Sequence, residues 1–176
     1  MRQLKTLVRI ICFMIPVVSI SQEEEYIVTK YDDTIYGKVI RGTNYLDTSE
    51  VVFKFKNKAG DKIRIDASEI KTIRSIKGVD GDCYITTIYD ALFIKKIIDG
   101  RIKVYQLVDG AIFYASKDDS EITSTDIGEF FSRKKAHSQV RPMIQDNVEL
   151  LKEFDTLPGN QKNIFYIINK YNSSVY

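Results

Sequence analysis

The sequence has no tryptophan, one histidine, two cysteines and three prolines in 176 residues, and each scarcity removes a class of chemistry. Nucleophilic catalysis by serine or cysteine ordinarily needs a histidine base. The sole histidine, His137, lies in a polar stretch beside Arg133-Lys134-Lys135 and is a poor base or ligand. A structural zinc site needs several His or Cys ligands, which are not there to recruit. No glycine-rich phosphate loop of either common spacing occurs. No apolar run reaches the roughly 20 residues that cross a bilayer as a helix.

What is present begins with a secretory leader. Arg2, Lys5 and Arg9 precede an apolar run, Ile10 to Ile20, that contains Pro16, and Ser19-Ile20-Ser21 offers small residues for cleavage. Residues 1–21 therefore read as a signal peptide and 22–176 as a single α+β domain, β-rich over 26–125 and helical over 127–171. Cys12 sits inside the apolar run behind Ile11, so a lipid anchor is disfavoured. Loss of the leader's three basic residues brings 26 basic against 24 acidic residues to 23 against 24. The exported chain is then near neutral, which removes the net-charge argument for nucleic acid and weakens one for acidic lipid. It keeps only Cys83, so no internal disulfide is possible. Cys83 opens an expected strand, where a small buried hydrophobe is the commoner role than a reactive thiol.

Alternation of apolar and polar residues dominates as far as Thr125. Tyr26–Tyr31 and Thr34–Arg41 form an expected hairpin about Asp32-Asp33, with Gly37 marking a bulge or close approach. Arg41 to Ser49 reads as a polar loop. Val51–Lys56 puts Val51, Phe53 and Phe55 on one face, with Val52, Lys54 and Lys56 on the other. After a turn at Asn57–Gly60, Lys62–Asp66 places Ile63 and Ile65 inward and Lys62, Arg64 and Asp66 outward. Ala67–Ile70 suits a helical turn in which Ser68 accepts a backbone bond, followed by a strand over Lys71–Ile76.

Tyr84 to Ser116 reads as a meander broken at Asp99-Gly100 and Asp109-Gly110, since Asp-Gly is a strong hairpin signal. Two-residue loops would pair Ile98 with Arg101 and Val108 with Ala111, and place Lys96 opposite Lys103. Both resulting faces are apolar: Leu92, Ile94, Tyr105, Leu107, Ile112 and Tyr114 on one, and Phe93, Ile97, Ile102, Val104, Val108, Ala111 and Phe113 on the other. Such a sheet needs cover on both sides, from the earlier hairpins and the C-terminal helices. Lys117–Ser120 is a polar turn and Glu121–Thr125 a last short strand.

Helical spacing follows without a linker. Phe130 and Phe131 lead into Arg133-Lys134-Lys135, Pro142 limits the next element to a short helix near Met143, and a longer helix runs from Asp146 to Leu157, with Leu150 and Phe154 on one face. Asn160–Tyr171 carries Ile164, Ile167, Ile168 and Tyr171 as an apolar stripe. The expected fold is an antiparallel meander, partly closed and barrel-like, with a C-terminal helical tail of two to three helices.

Several pieces together resemble an uncharacterised family of small exported β-rich proteins of Bacteroidota, a domain of unknown function. They are the leader ending at Gln22, DDTIYGKV, VVFKFKNKAGDKIRI followed by ASEIKTI, FIKKIIDGRIKVYQ with FYAS behind it, and the closing IINKYN. Asn147-Val148 departs from the Asp-Cys-Pro-like turn of that pattern. The resemblance implies export and an α+β fold, and carries no catalytic, cofactor-binding or metal residues across.

The remaining candidates are generic. Asp80-Gly81-Asp82 lacks the ligand series and distal Glu of a calcium loop. Asp90 with Asp99, or residues of the Asp118-Asp119 turn, could form a glycosidase-like carboxylate pair, but turn roles are the better explanation of them. Eleven tyrosines could line a sugar or peptide groove or serve as core edges. The expectation is a non-enzymatic exported envelope protein, periplasmic or extracellular, without a cofactor. Its partner would be an envelope protein or small ligand, with no nucleic acid and no stable membrane span after cleavage. The alternatives are a small-molecule or lipid binder with a cavity between sheet and tail, and a carboxylate-dependent carbohydrate hydrolase.

Overall fold

In the computed structural model, the described residues are 24–43, 51–125, 127 and 133–174. The leader, most of the Arg41–Ser49 loop and Phe130-Phe131 lie outside them. The strands are β1 (Tyr26–Thr29), β2 (Thr34–Thr43), β3 (Val51–Asn57), β4 (Lys62–Arg64), β5 (Ile70–Ser75), β6 (Cys83–Ile88), β7 (Leu92–Ile98), β8 (Ile102–Leu107), β9 (Phe113–Lys117) and β10 (Thr123–Thr125). The helices that follow are α1 (Arg133–Val140), a 3₁₀ turn (Arg141–Ile144), α2 (Val148–Thr156) and α3 (Gln161–Ser173). All strands form one antiparallel ten-stranded sheet in the order β10-β9-β8-β7-β6-β5-β1-β2-β3-β4. The fold is thus α+β, and the sheet curls without closing.

The β1–β2 hairpin turns at Asp32, which adopts φ 64°, while the Thr29 hydroxyl accepts the N–H groups of Tyr31 and Asp33 at 3.2 Å. Gly37 is a close approach: a Cβ there would lie 2.4 Å from the Lys56 carbonyl oxygen and 2.6 Å from the Phe55 ring. The turn at 67–69 is capped by Asp66, which accepts both the N–H and the hydroxyl of Ser68 at 2.8 and 2.7 Å. Ser68 therefore donates rather than accepts, and no helix forms. Ile65 is buried as expected, whereas Ile63 is 56% exposed because β4 is an edge strand.

The meander has one more strand than the Asp-Gly signals imply. Tyr89 and Asp90 turn with φ 53° and 54°, splitting β6 from β7 by a left-handed pair that contains no glycine. The β8–β9 register agrees with the expectation, since Gln106 pairs with Phe113 and Tyr105 with Tyr114, continuing the Val108/Ala111 alignment. The β7–β8 register does not. Lys96 pairs with Tyr105 and Ile98 with Val104 across a bulge at Ile97, so Lys96 and Lys103 are not opposite. The offset before the bulge is two residues, which preserves the faces.

Curling decides what covers what. A flat sheet would hold β3 and β7 about 24 Å apart, at about 4.8 Å per strand. Yet the Phe53 and Phe93 rings meet edge-to-face at 4.9 Å, so the inner face of β1–β3 wraps onto that of β5–β7 and buries Ile27, Val39, Phe55, Ile73 and Ile85. The tail covers the rest of the same inner face: Ile98, Ile102, Val104 and Phe113 pack against Val140, Ile144, Leu150, Phe154, Ile164, Ile167, Ile168 and Tyr171. Hairpins and helices thus share one face. The outer face of the meander keeps a smaller cluster of Ile88, Ile94, Tyr105 and Tyr114, while Leu92 and Ile112 stay open.

The tail's boundaries follow its caps. Asn147 accepts the Leu150 N–H at 3.0 Å to start α2, and Asn160 accepts the Asn163 N–H at 2.9 Å to start α3. Leu157 is extended ahead of Pro158, as a residue before proline must be.

Candidate functional site

The outer face of β2, β3 and β4 collects charge of one sign. Lys38 pairs with Lys56 and Lys56 with Lys62 across the three strands, and one step along Lys54 pairs with Arg64. Neighbours in such a ladder sit about 4.8 Å apart between strands and about 6.7 Å apart along one. Like charges directly opposite are unfavourable in a sheet, and all five side chains belong to exposed residues. Lys54, Lys56 and Lys62 have no carboxylate within ion-pair distance among the described residues. Several cations elsewhere are neutralised: Lys71 by Asp32 at 2.6 Å, Lys96 by Asp99 at 2.6 Å, Arg141 by Asp155 at 2.9 Å and Lys170 by Glu153 at 2.6 Å, so the ladder is distinguished by the alignment of its cations across three strands.

Bordering this ladder, a row of three tyrosines and one arginine crosses the same face. Tyr36 pairs with Tyr26, Tyr26 with Arg74, and Arg74 with Tyr84. The Tyr26 and Tyr36 rings meet edge-to-face at 5.7 Å. Lys58 lies over Tyr36 at 5.8 Å and pairs with Glu24 at 3.3 Å. Arg74 and Lys96 lie over Tyr84 at 4.7 and 5.0 Å. Burial, reinforced by Tyr84, raises the Tyr26 phenol above its ordinary range.

Two of the clefts among the described residues bear on binding. One, of about 630 Å³, adjoins the cationic ladder and is lined by Lys38, Lys58 and Lys77 together with Glu24 and Glu25, beside Gly37 and Ile76. The other, of about 610 Å³, lies at the seam where the curled sheet fails to close, with Val52, Ile65, Phe93 and Val108 against Asp66 and Asp90. Between sheet and tail, where the sequence allowed a ligand cavity, the side chains already named pack against one another.

The residues singled out from sequence are placed as follows. Cys83 is buried and free, and burial raises its thiol pKa. His137 stacks on Phe154 at 3.9 Å, with Nε2 3.1 Å from the Phe154 carbonyl oxygen. Asp80 pairs with Arg41 at 2.6 Å and Asp82 with Arg74, and no cluster of potential metal ligands forms among the described residues. Asp90 contacts Lys30 in the β6–β7 turn and Asp99 contacts Lys96 in the β7–β8 turn, at opposite ends of β7. The hydrogen bond from Arg101, at 2.7 Å, holds the Asp118 carboxyl below its ordinary range, and Asp119 pairs with Lys103 at 3.2 Å. Lys134 is exposed on α1. No helix among the described residues is long and apolar enough to cross a membrane. The sequence marked Lys54, Lys56, Lys62 and Arg64 as outward-facing, but their junction with Lys38 depends on the β2–β3 register, which alternation alone does not supply.

Comparison with known proteins returns no matching family model, no matching curated protein and no matching solved structure.

Proposed function

We propose that this is a non-enzymatic exported protein of the cell envelope that acts by binding, and that its working surface is the outer face of β2, β3 and β4. The observation that carries the reading is the ladder Lys38–Lys56–Lys62 with Lys54–Arg64 beside it. Like charges aligned directly opposite one another are unfavourable in a sheet, so an anionic partner supplies countercharge to Lys54, Lys56 and Lys62. A second reading, a small-molecule or lipid binder, is favoured by the partly apolar seam cleft of about 610 Å³, within the size of ordinary ligand pockets.

In-cell crosslinking of the tagged protein tests the first reading. The exported form should begin at Gln22 by mass spectrometry and capture one stoichiometric envelope component. The variant Lys54→Gln/Lys56→Gln/Lys62→Gln should lose that capture. Recovery of the monomer alone, or capture unaffected by the variant, would contradict it.

A further inference from the structure

Building on that reading of the outer face, we infer that β2, β3 and β4 dock a linear acidic polysaccharide, a chain of carboxylate-bearing sugars lying across the strands. The cations form a line rather than a pocket. Lys38, Lys56 and Lys62 run perpendicular to the strands at about 4.8 Å intervals, with Lys54 and Arg64 in a parallel line about 6.7 Å away. A repeating row of positive charge complements a polymer with a repeating row of negative charge.

The side-chain type narrows the chemistry. Lysine presents a rotatable point charge on a flexible stem, whereas fixed bidentate recognition of phosphate favours arginine. Apart from Arg64, the ladder is lysine throughout. Such a surface accepts carboxylates in many orientations along a chain.

Shape and aromatic environment separate this polymer from other polyanions. The face is the convex side of a sheet curled tightly enough to bring Phe53 against Phe93. A bilayer plane touches a convex surface only tangentially, while a flexible chain follows it. Binding of single-stranded nucleic acid draws on aromatic faces free to stack with bases. Here Tyr36 lies under Lys58, and Tyr84 under Arg74 and Lys96, so these rings already hold protein cations. The cleft at the ladder's end is edged by Lys38, Lys58 and Lys77 and also by Glu24 and Glu25, whose carboxylates are engaged by Lys58 and by backbone N–H groups, so it extends the cationic surface by one further step.

Affinity electrophoresis of the purified protein in gels cast with polygalacturonate, with neutral dextran as control, provides the test. Polygalacturonate should retard the protein and dextran should not, and retardation should fall as salt screens the contacts. Lys54→Gln/Lys56→Gln/Lys62→Gln should weaken binding about tenfold or more, Lys54→Arg/Lys56→Arg/Lys62→Arg should retain it, and Lys162→Gln on α3 should leave it unchanged. The salt series tests the wild-type protein without reliance on any variant. Absence of retardation at low salt, binding equal in the glutamine variant, or tighter binding to a single-stranded oligonucleotide or to phosphatidylglycerol vesicles would overturn the inference. If polygalacturonate fails while the glutamine variant still loses its in-cell crosslink, the choice of polymer is wrong and the binding face stands. Loss of neither rejects both.

Discussion

Glu25 stands at the residue where β1 has not yet begun but its neighbours β2 and β5 are already running past. Its carboxylate fills the gap, accepting the Val39 N–H at 2.9 Å and the Ile76 and Lys77 N–H groups at 2.8 Å each. Burial opposes the ionised form, and these three donors outweigh it, so the pKa falls below the ordinary 4.5. A lowered native pKa gives stability that is fully present above the unfolded value and is lost as pH falls through the native one. Glu25→Ala should therefore cost about 1–3 kcal/mol in urea denaturation near neutral pH, the usual penalty for stranding buried donors. It should also lose less stability than wild type between about pH 5 and about pH 3. Equal pH slopes for the two proteins would contradict this role. Nothing in the sequence distinguishes Glu25 from Glu23 or Glu24, because its importance arises from where three separate strands start and stop.

At the scale of elements, hairpin β7–β8 and helix α3 are joined by a clasp that explains two stretches noted from sequence as separate punctuation. The Asn172 side chain acts as a strand partner for Ile102, accepting its N–H at 2.9 Å and donating to its carbonyl at 2.8 Å. It also donates to the Asp99 carbonyl at 3.2 Å. Gly100 adopts φ 146°, and a Cβ there would fall 2.4 Å from the Asn172 amide carbon. The Asp-Gly of the meander and the Tyr-Asn of the tail are one contact. Next to it, Lys117 pairs with Asp146 at 2.9 Å, and the Tyr171 hydroxyl donates to the same carboxylate at 2.8 Å. Asn172→Ala should cost about 1–3 kcal/mol, and Gly100→Ala should cost less in the Asn172→Ala background than in wild type, with a coupling of about 0.5–3 kcal/mol in a double-mutant cycle. Additive effects would show that the clasp is not a unit.

The same elements show what was legible in the sequence. The α3 stripe of Ile164, Ile167, Ile168 and Tyr171 is fully buried, because helical periodicity is a local signal. The β8–β9 register was legible because Asp109 takes a left-handed turn, φ 61°. The β7–β8 register was not, since the bulge at Ile97 and the Asn172 contact at Gly100 depend on a helix 70 residues away. The Tyr89-Asp90 turn carries no glycine to announce it.

At the scale of the whole molecule, the unexpected feature is asymmetry. Two apolar faces on the meander suggested cover on both sides. Instead the sheet bends its own first half and its helical tail onto the inner face, leaving the outer face of β2–β4 open. Pairing of β1 with β5 makes this possible by placing the first hairpins beside the meander in one sheet, and a long-range pairing of that kind leaves no mark in local alternation. Near-neutral net charge removed the argument for nucleic acid and weakened one for acidic lipid. Net charge, however, averages over a surface on which many acids pair with cations in the turns and tail, while one sheet face aligns Lys54, Lys56 and Lys62, which have no carboxylate within ion-pair distance among the described residues.

Lysine acylation footprinting, read by mass spectrometry on the protein alone and in the presence of envelope material, tests the claim that this face is the binding surface. Lys54, Lys56 and Lys62 should be protected when the partner is present, while the exposed Lys152 and Lys162 of the tail label at unchanged rates. Uniform labelling, or protection confined to the tail, would contradict it.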